Sequence, residues 1–144
     1  MKIDHIGIAT RELKDALSIW GDAVGLGPHS TEEVIEQGVR VALLPLGEAN
    51  IELLEPLRAD SPVGRFLEKR GPGIHHIAIR VTDIRLTLAQ LREKGIRLID
   101  EVPRLGAAGC LVAFIHPSST NGVLLELVQR QQFFWKGNCF EFNN

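Results

Sequence analysis

Two histidines stand at matching places in this chain, where they are candidates for metal binding. His5 and His76 each lie near the start of a seven-residue stretch, 4–10 and 75–81, in which apolar residues alternate with other residues. Alternation with a period of two is typical of a β-strand. The two stretches therefore predict two equivalent strands that each carry one histidine.

Two glutamates repeat in the same way, because Glu52 and Glu126 each lie between apolar residues. A lone histidine or glutamate in a strand is usually structural, but here the coincidence would have to occur four times. Two imidazoles and two carboxylates suit divalent Co, Mn, Ni, Fe or Zn and balance the charge of such an ion. We therefore predict that His5, Glu52, His76 and Glu126 bind one divalent metal ion, which leaves a Lewis acid for an enolate or carboxylate oxygen.

The other histidines are weaker candidates as ligands. His75 competes with its neighbour His76, but alternation places it on the opposite face of the strand, and its counterpart in the first repeat is Asp4. We expect His29 and His116 to lie in turns, with surface or supporting roles.

The elements that must position these residues also repeat. The first unit predicts a strand, a helix capped by Thr10 that ends at Gly25, and three more strands. The second unit repeats this pattern at a shift of 71 residues, and of 74 in its last strand. Ser61 and Pro62 predict the start of a linking helix. The predicted strands cover residues 3–9, 31–35, 39–46, 51–54, 75–81, 97–100, 111–115 and 123–128.

These elements predict an α+β fold, with two tandem βαβββ modules pairing into a curved eight-stranded sheet around a metal cleft. We expect a single domain across residues 1–144. Its parts are module 1 at about 1–57, a linker helix at about 58–73, module 2 at about 74–130, and a tail of unknown role at 131–144.

Composition argues against several classes of protein. The net charge of −2 provides no broad positive field for nucleic acid. No apolar run approaches the roughly 20 residues that span a bilayer, so we expect no membrane partner. Cys110 and Cys139 lack metal-type spacing, which favours the reducing cytoplasm. Fingerprints of serine hydrolases, P-loop proteins and dinucleotide-binding folds are absent from the sequence.

Several motifs resemble one known family. The doubled unit with its histidines and glutamates is similar to the vicinal oxygen chelate superfamily, which includes glyoxalases, bleomycin resistance proteins and extradiol dioxygenases. More narrowly, the chain resembles the methylmalonyl-CoA epimerase family from about residue 1 to residue 129. The motifs that carry this resemblance are Glu36-Gln-Gly-Val39, Ile51-Glu-Leu-Leu-Glu-Pro56, Gly73-Ile-His-His-Ile-Ala78, Phe114-Ile-His-Pro117 and Gly122-Val-Leu-Leu-Glu-Leu127.

The resemblance implies an isomerase that epimerises an acyl-CoA substrate by 1,1-proton transfer through a metal-stabilised enolate. It implies His5, His76 and Glu126 as ligands, with Glu126 also acting as a base. Some epimerases have glutamine at the position of Glu52, so Glu52 is expected to combine ligand and acid-base roles. We also expect a homodimer.

Two positions depart from the family pattern. Val41 stands where some epimerases carry a glutamate, which leaves Glu52, or more weakly Gln37 or a bound water, as the second proton carrier. Ser118 stands where many carry a lysine.

Three alternatives stay open from the sequence. A lactoylglutathione lyase would use a nearly identical set of ligands. An extradiol dioxygenase would need Fe(II), two histidines and one glutamate. A non-enzymatic module of the same fold would bind a small molecule in its cleft without catalysis.

Overall fold

A curled, mixed sheet of eight strands organises the computed structural model, which describes residues 1–131, 133–135 and 138–140. Its strand order is β2-β3-β4-β1-β5-β8-β7-β6. The strands are β1 (Lys2–Ala9), β2 (Ser30–Val34), β3 (Val39–Leu46), β4 (Ala49–Pro56), β5 (Gly73–Arg80), β6 (Arg104–Leu105), β7 (Leu111–Ile115) and β8 (Leu125–Gln129). The helices are α1 (Leu13–Leu17), which continues as a π-helical turn (Ser18–Ala23), α2 (Pro62–Arg70) and α3 (Ile84–Glu93). The predicted α+β fold of two βαβββ modules is confirmed.

The two modules meet at the centre of the sheet. Strands β1 and β5 pair antiparallel, and each pairs in parallel with the last strand of its own module, β4 or β8. The four strands that carry the predicted ligands therefore lie side by side in the order β4-β1-β5-β8.

Each of the three helices packs on the sheet through its own apolar cluster. Helix α1 packs its Leu13 and Ala16 against apolar side chains of β3 and β4, and α3 does the same for the second module with Ile84 and Leu88. Helix α2 packs against β1, β3 and β4 through another core cluster that includes Val63. The modules thus share one sheet but have separate apolar cores.

The linking helix begins as predicted. Ser61 is the N-cap of α2, and its hydroxyl accepts from the amide of Gly64 at 3.1 Å while donating to the carbonyl of Arg58 at 2.7 Å. Pro62 occupies the first helical position, where a missing amide hydrogen costs little.

The prediction that Thr10 caps the first helix is wrong. Its hydroxyl donates to the carbonyl of Glu12, and the amide of Leu13 instead donates to the Glu55 carboxylate at 2.6 Å. The helix of the second module begins in the same way: the amide of Ile84 donates to the side chain of Gln129, at the matching strand end, at 2.9 Å. A distant residue on the last strand of each module therefore anchors the start of its helix.

The predicted strand at 97–100 is also wrong, apart from an isolated bridge between Leu98 and Ile115. The Asp100 carboxylate accepts from the amide of Phe114 at 2.8 Å, and also pairs with Arg104 at 3.0 Å. The Asp100 side chain thus accepts the hydrogen bond that the Phe114 amide would donate to a backbone carbonyl in a regular β-ladder. The short strand β6 follows at Arg104–Leu105.

The curl of the sheet brings residues from its two edges together. Glu32 on β2 accepts from the backbone amide of Ala108, in the turn just after β6. This contact joins the first module to the second across the open face of the sheet.

The tail at 131–144 is described in part. Strands β9 (Phe133–Trp135) and β10 (Asn138–Phe140) form an antiparallel pair, and residues 132, 136–137 and 141–144 lie outside the described residues. Among the helices in the described ranges, none has the length and apolar character needed to cross a membrane.

Candidate metal centre

Strand register places the predicted ligands in two neighbouring rows across the sheet. In one row His5 pairs with Ala78, and Ala78 pairs with Glu126. In the other row His76 pairs with Gly7, and Gly7 pairs with Glu52. Each row therefore joins a histidine of one module to a glutamate of the other, across one small residue.

The small residue in the second row makes room for a ligand. A Cβ atom built on Gly7 would overlap the imidazole ring of His76. The equivalent Ala78 is fully buried between His5 and Glu126. Glycine at position 7 is therefore required by close packing rather than by its backbone conformation.

The four predicted residues converge on one buried cluster. The Nε2 atoms of His5 and His76 lie 2.9 Å apart. Oε2 of Glu126 lies 3.1 Å from His5 Nε2 and 2.8 Å from His76 Nε2, while Oε2 of Glu52 lies 3.3 Å from His5 Nε2. Each of the four residues is at most 5% exposed. The structure thus brings together residues that lie up to 121 positions apart in the sequence.

The chemistry of the cluster suits a divalent metal ion. Within the described part of the chain, His5, Glu52 and His76 each place a donor atom within 4.8 Å of the others. Glu126 adds a carboxylate within hydrogen-bonding distance of both imidazoles. Burying two carboxylates is costly unless cations or hydrogen-bond donors compensate them. Imidazole nitrogen and carboxylate oxygen are common ligands of Zn²⁺ and similar ions.

Without an ion, the two carboxyl groups differ in their acidity. Burial raises the pKa of Glu126, but hydrogen bonds from His5 and His76 outweigh this and hold it below its usual range. Burial and the nearby charge of Glu126 raise the pKa of Glu52. Although burial lowers the pKa of His5, the charge of Glu52 and the hydrogen bond to Asp4 raise it well above its usual value. Similar carboxyl groups are thus made chemically different by their surroundings.

Asp4 belongs to the site but was not predicted to do so. Its Oδ1 atom accepts from Nδ1 of His5 at 2.8 Å, and its Oδ2 atom accepts from Nε of both Arg80 and Arg130 at 3.1 Å. Burial raises its pKa, but the hydrogen bond from His5 and the charges of His5 and Arg130 lower it overall. The only sign of this role in the sequence was that Asp4 directly precedes the candidate ligand His5.

The expectation that His75 faces away from His76 is wrong. The pairing of β1 with β5 shifts register beside His75, so this residue is an extra one in its strand. Its Nδ1 atom lies 2.9 Å from Nδ1 of His76, and its ring packs against Phe66 of α2. Burial lowers the pKa of His75 to about 4, and the charge of His76 adds to this effect. Such bulges re-aim side chains, which explains why simple alternation failed.

The remaining positions singled out in the sequence lie outside the cluster. Val41 is fully buried in the apolar cluster beneath α2. His29 is exposed, and Nδ1 of His116 accepts from the amide of Ser118 at 3.0 Å in a short turn. Val41 therefore cannot act as an acid or base. His116 stabilises its own turn.

A cavity of about 590 Å³ lies close to the buried cluster. Arg80 and Arg130, which hold Asp4, line it together with Leu43, the β3 neighbour of Glu52. His29 and Lys2 contribute further nitrogen-bearing side chains. The cavity wall thus carries cationic side chains and the carboxylate of Glu48, and it adjoins residues that contact or pair with members of the cluster.

The chain is similar to known proteins of one superfamily. The family model for the Glyoxalase/Bleomycin resistance protein/Dioxygenase superfamily matches residues 4–114. The Bacillus subtilis protein YqjC is 48% identical over 89% of this chain and 91% of its own length. The ethylmalonyl-CoA/methylmalonyl-CoA epimerase of Cereibacter sphaeroides is 37% identical over 89% of this chain and 97% of its own.

A solved structure extends the comparison to three dimensions. It is a variant of Streptomyces coelicolor methylmalonyl-CoA epimerase in complex with 2-nitronate-propionyl-CoA. It superposes with a TM-score of 0.87 and 40% identity, covering 90% of this chain and 96% of that one.

Proposed function

The chain belongs to the Glyoxalase/Bleomycin resistance protein/Dioxygenase superfamily, and we propose that it interconverts the (R) and (S) forms of methylmalonyl-CoA. Relatives that cover nearly the whole chain carry this activity in their names. The structural observation that carries the proposal is that Glu52 and Glu126 reach one buried cluster from opposite flanks.

The reaction requires two proton transfers at one carbon atom. The C2 hydrogen of methylmalonyl-CoA lies between a thioester and a carboxylate, so its removal leaves an enolate. Return of a proton to the same face would regenerate the starting epimer, whereas return to the opposite face inverts the centre. An epimerase therefore needs a proton acceptor on one side of C2 and a donor on the other.

The two glutamates meet this requirement by their places in the sheet. Glu52 lies on β4 and Glu126 on β8, and the two central strands lie between them. At about 4.8 Å between neighbouring strands, their backbones are about 14 Å apart, yet both carboxylates reach the Nε2 atom of His5. A substrate carbon held over the histidine pair would have one carboxylate on each side.

The histidines and glutamates would also hold the metal ion. When bound, a divalent ion supplies positive charge that stabilises the enolate oxygen and so favours loss of the C2 proton. His5 and His76 offer neutral nitrogen ligands, while Glu126 and Glu52 are proposed to act both as ligands and as proton carriers. A carboxylate can fill both roles, since it has two oxygen atoms.

Burial of the site serves proton transfer in a second way. Because the four side chains are at most 5% exposed, bulk water has little access to their carboxylates. The opposite glutamate, rather than bulk water, therefore donates its own proton to the other face of the enolate, and the two carboxyl groups exchange their protons with solvent between turnovers.

The proposal is tested by following one pure epimer. Incubation of (S)-methylmalonyl-CoA with metal-loaded protein should give the (R) epimer, detected by an (R)-specific coupling enzyme or by chiral separation after hydrolysis. Protein stripped of metal with a chelator and then dialysed is the control, and readdition of Co²⁺ or Mn²⁺ should restore the activity. An unchanged (S) epimer with the reloaded protein would overturn the proposal.

Three finer features also stay predictions. We propose one ion of Co, Mn, Ni or Zn per chain, a homodimer, and a cytoplasmic location. Metal analysis of the purified protein and sedimentation analysis test the first two, and fractionation of cells tests the third.

A further inference from the structure

Matching irregularities flank the two candidate histidine ligands. Between Ile3 and His5 the register of β1 against β5 shifts, which makes Asp4 the extra residue. Between Gly7 and Ile8 it shifts again, and there His75 is the extra residue on the opposing strand. The extra residues are 71 positions apart, like the histidines that follow them. Each places a side-chain hydrogen-bond partner beside the Nδ1 atom of the next histidine.

The partner of Nδ1 decides which nitrogen is free to bind a metal. An ionised carboxylate has no proton to give, so Nδ1 of His5 must carry the hydrogen in its 2.8 Å contact with Asp4. In a neutral imidazole the lone pair then lies on Nε2, which points to His76 and Glu126. A fixed Nδ1 hydrogen bond also fixes the rotation of the ring.

Asp4 is itself held in place by two cations. Nε of Arg80 and Nε of Arg130 each lie 3.1 Å from its Oδ2 atom. The arginines come from the end of β5 and from just after β8, so residues of the second module position a residue of the first. Asp4 is only 6% exposed, and the two guanidinium groups balance its buried charge.

We propose that Asp4 is a positioning residue for the metal site: held by Arg80 and Arg130, it fixes the tautomer and orientation of His5, and thereby sets the affinity for the divalent ion. This inference rests on the metal site of the proposed function. His75 gives His76 the corresponding contact without a charge, so the two histidines are not equivalent ligands.

The test measures metal affinity in the full chain. Co²⁺ dissociation constants are determined by competition with a chromophoric chelator for the unmodified protein, Asp4→Ala and Asp4→Asn. The exposed Asp15 provides the matched control Asp15→Asn. The visible absorption bands of bound Co²⁺ report the geometry of its ligands, and circular dichroism of the metal-free proteins reports folding.

Asp4→Ala is expected to bind Co²⁺ about 10–100-fold more weakly, the usual cost of losing such a contact, with altered absorption bands. Asp4→Asn keeps an oxygen that can accept from Nδ1, so it should recover part of that affinity. Asp15→Asn should match the unmodified protein.

Equal Co²⁺ affinity and identical bands in a folded Asp4→Ala would overturn the inference and leave Asp4 with an ion-pairing role alone. If Asp4→Ala does not fold, Asp4→Asn decides, and affinity equal to that of the unmodified protein again overturns it. Failure of the unmodified protein to bind Co²⁺ would instead contradict the metal site of the proposed function, and this inference with it.

Discussion

Gly7 lies between Glu52 and His76 in the sheet, and the imidazole ring of His76 occupies the space that a side chain at Gly7 would fill. The lack of a side chain at this one position of β1 is therefore a feature of the candidate site. It lets a histidine of the second module approach a glutamate of the first across one central strand.

Gly7→Ala should displace His76 and weaken both metal binding and epimerisation. Overpacking of this kind costs about 1–3 kcal/mol in stability, and a shift of about 1 Å at a reacting centre can cost 10²-fold in rate. Thermal unfolding and steady-state kinetics measure the two effects. Ala78→Gly, at the equivalent position, is the control, and it should leave His5 in place. Full activity of Gly7→Ala would contradict this account of the glycine.

Glu126→Gln should abolish exchange of the C2 hydrogen in the epimer whose hydrogen faces this side chain, because the amide cannot accept the proton. General bases typically contribute about 10²–10⁴-fold, and loss of a charged ligand adds to that loss. Exchange is followed by mass spectrometry in deuterated water. His29→Ala, at an exposed position, should keep normal exchange. Exchange at the normal rate in a folded Glu126→Gln would assign the base to another residue.

Glu52→Gln separates the ligand role of Glu52 from its role in proton transfer. An amide oxygen can still bind the ion but cannot carry a proton, so interconversion should fall by about 10²–10⁴-fold. Glu126 would still remove the proton from the epimer that faces it. That epimer should therefore take up deuterium without inversion, which mass spectrometry combined with chiral analysis detects. Normal interconversion would restrict Glu52 to metal binding.

Ser61→Ala should destabilise the protein without changing catalysis. The buried Ser61 hydroxyl caps α2 through Gly64, and loss of such a cap costs about 1 kcal/mol. For a domain of this size, that lowers Tm by about 2–4 °C. Ser30→Ala, at an exposed position on β2, is the control. Unchanged Tm in Ser61→Ala would show that the cap contributes little.

The internal repeat explains why so much of the site could be predicted. A shift of 71 residues aligned His5 with His76, and a shift of 74 aligned Glu52 with Glu126. Pairing of the repeats about β1 and β5 then places all four residues on one face of the sheet. Equivalent positions in a repeat are visible in a sequence even when they are far apart.

The neighbours of the ligands were harder to predict, because they depend on interruptions of the alternation within each strand. The bulges at Asp4 and His75 break the alternation that assigned His75 to the other face. The Asp100 carboxylate replaces a backbone acceptor for the Phe114 amide, and residues 97–100 form only an isolated bridge to β7. Side chains that replace backbone hydrogen bonds leave no periodic signal in the sequence.

The most direct test of the central claim is deuterium entry at C2 of methylmalonyl-CoA in deuterated water. Co²⁺- or Mn²⁺-loaded protein should incorporate one deuterium rapidly and convert the two epimers into each other. Glu126→Gln should not interconvert the epimers, and it should label only the one whose C2 hydrogen faces Glu52. Metal-loaded, folded protein that leaves C2 fully protonated would contradict the claim that this site moves a proton.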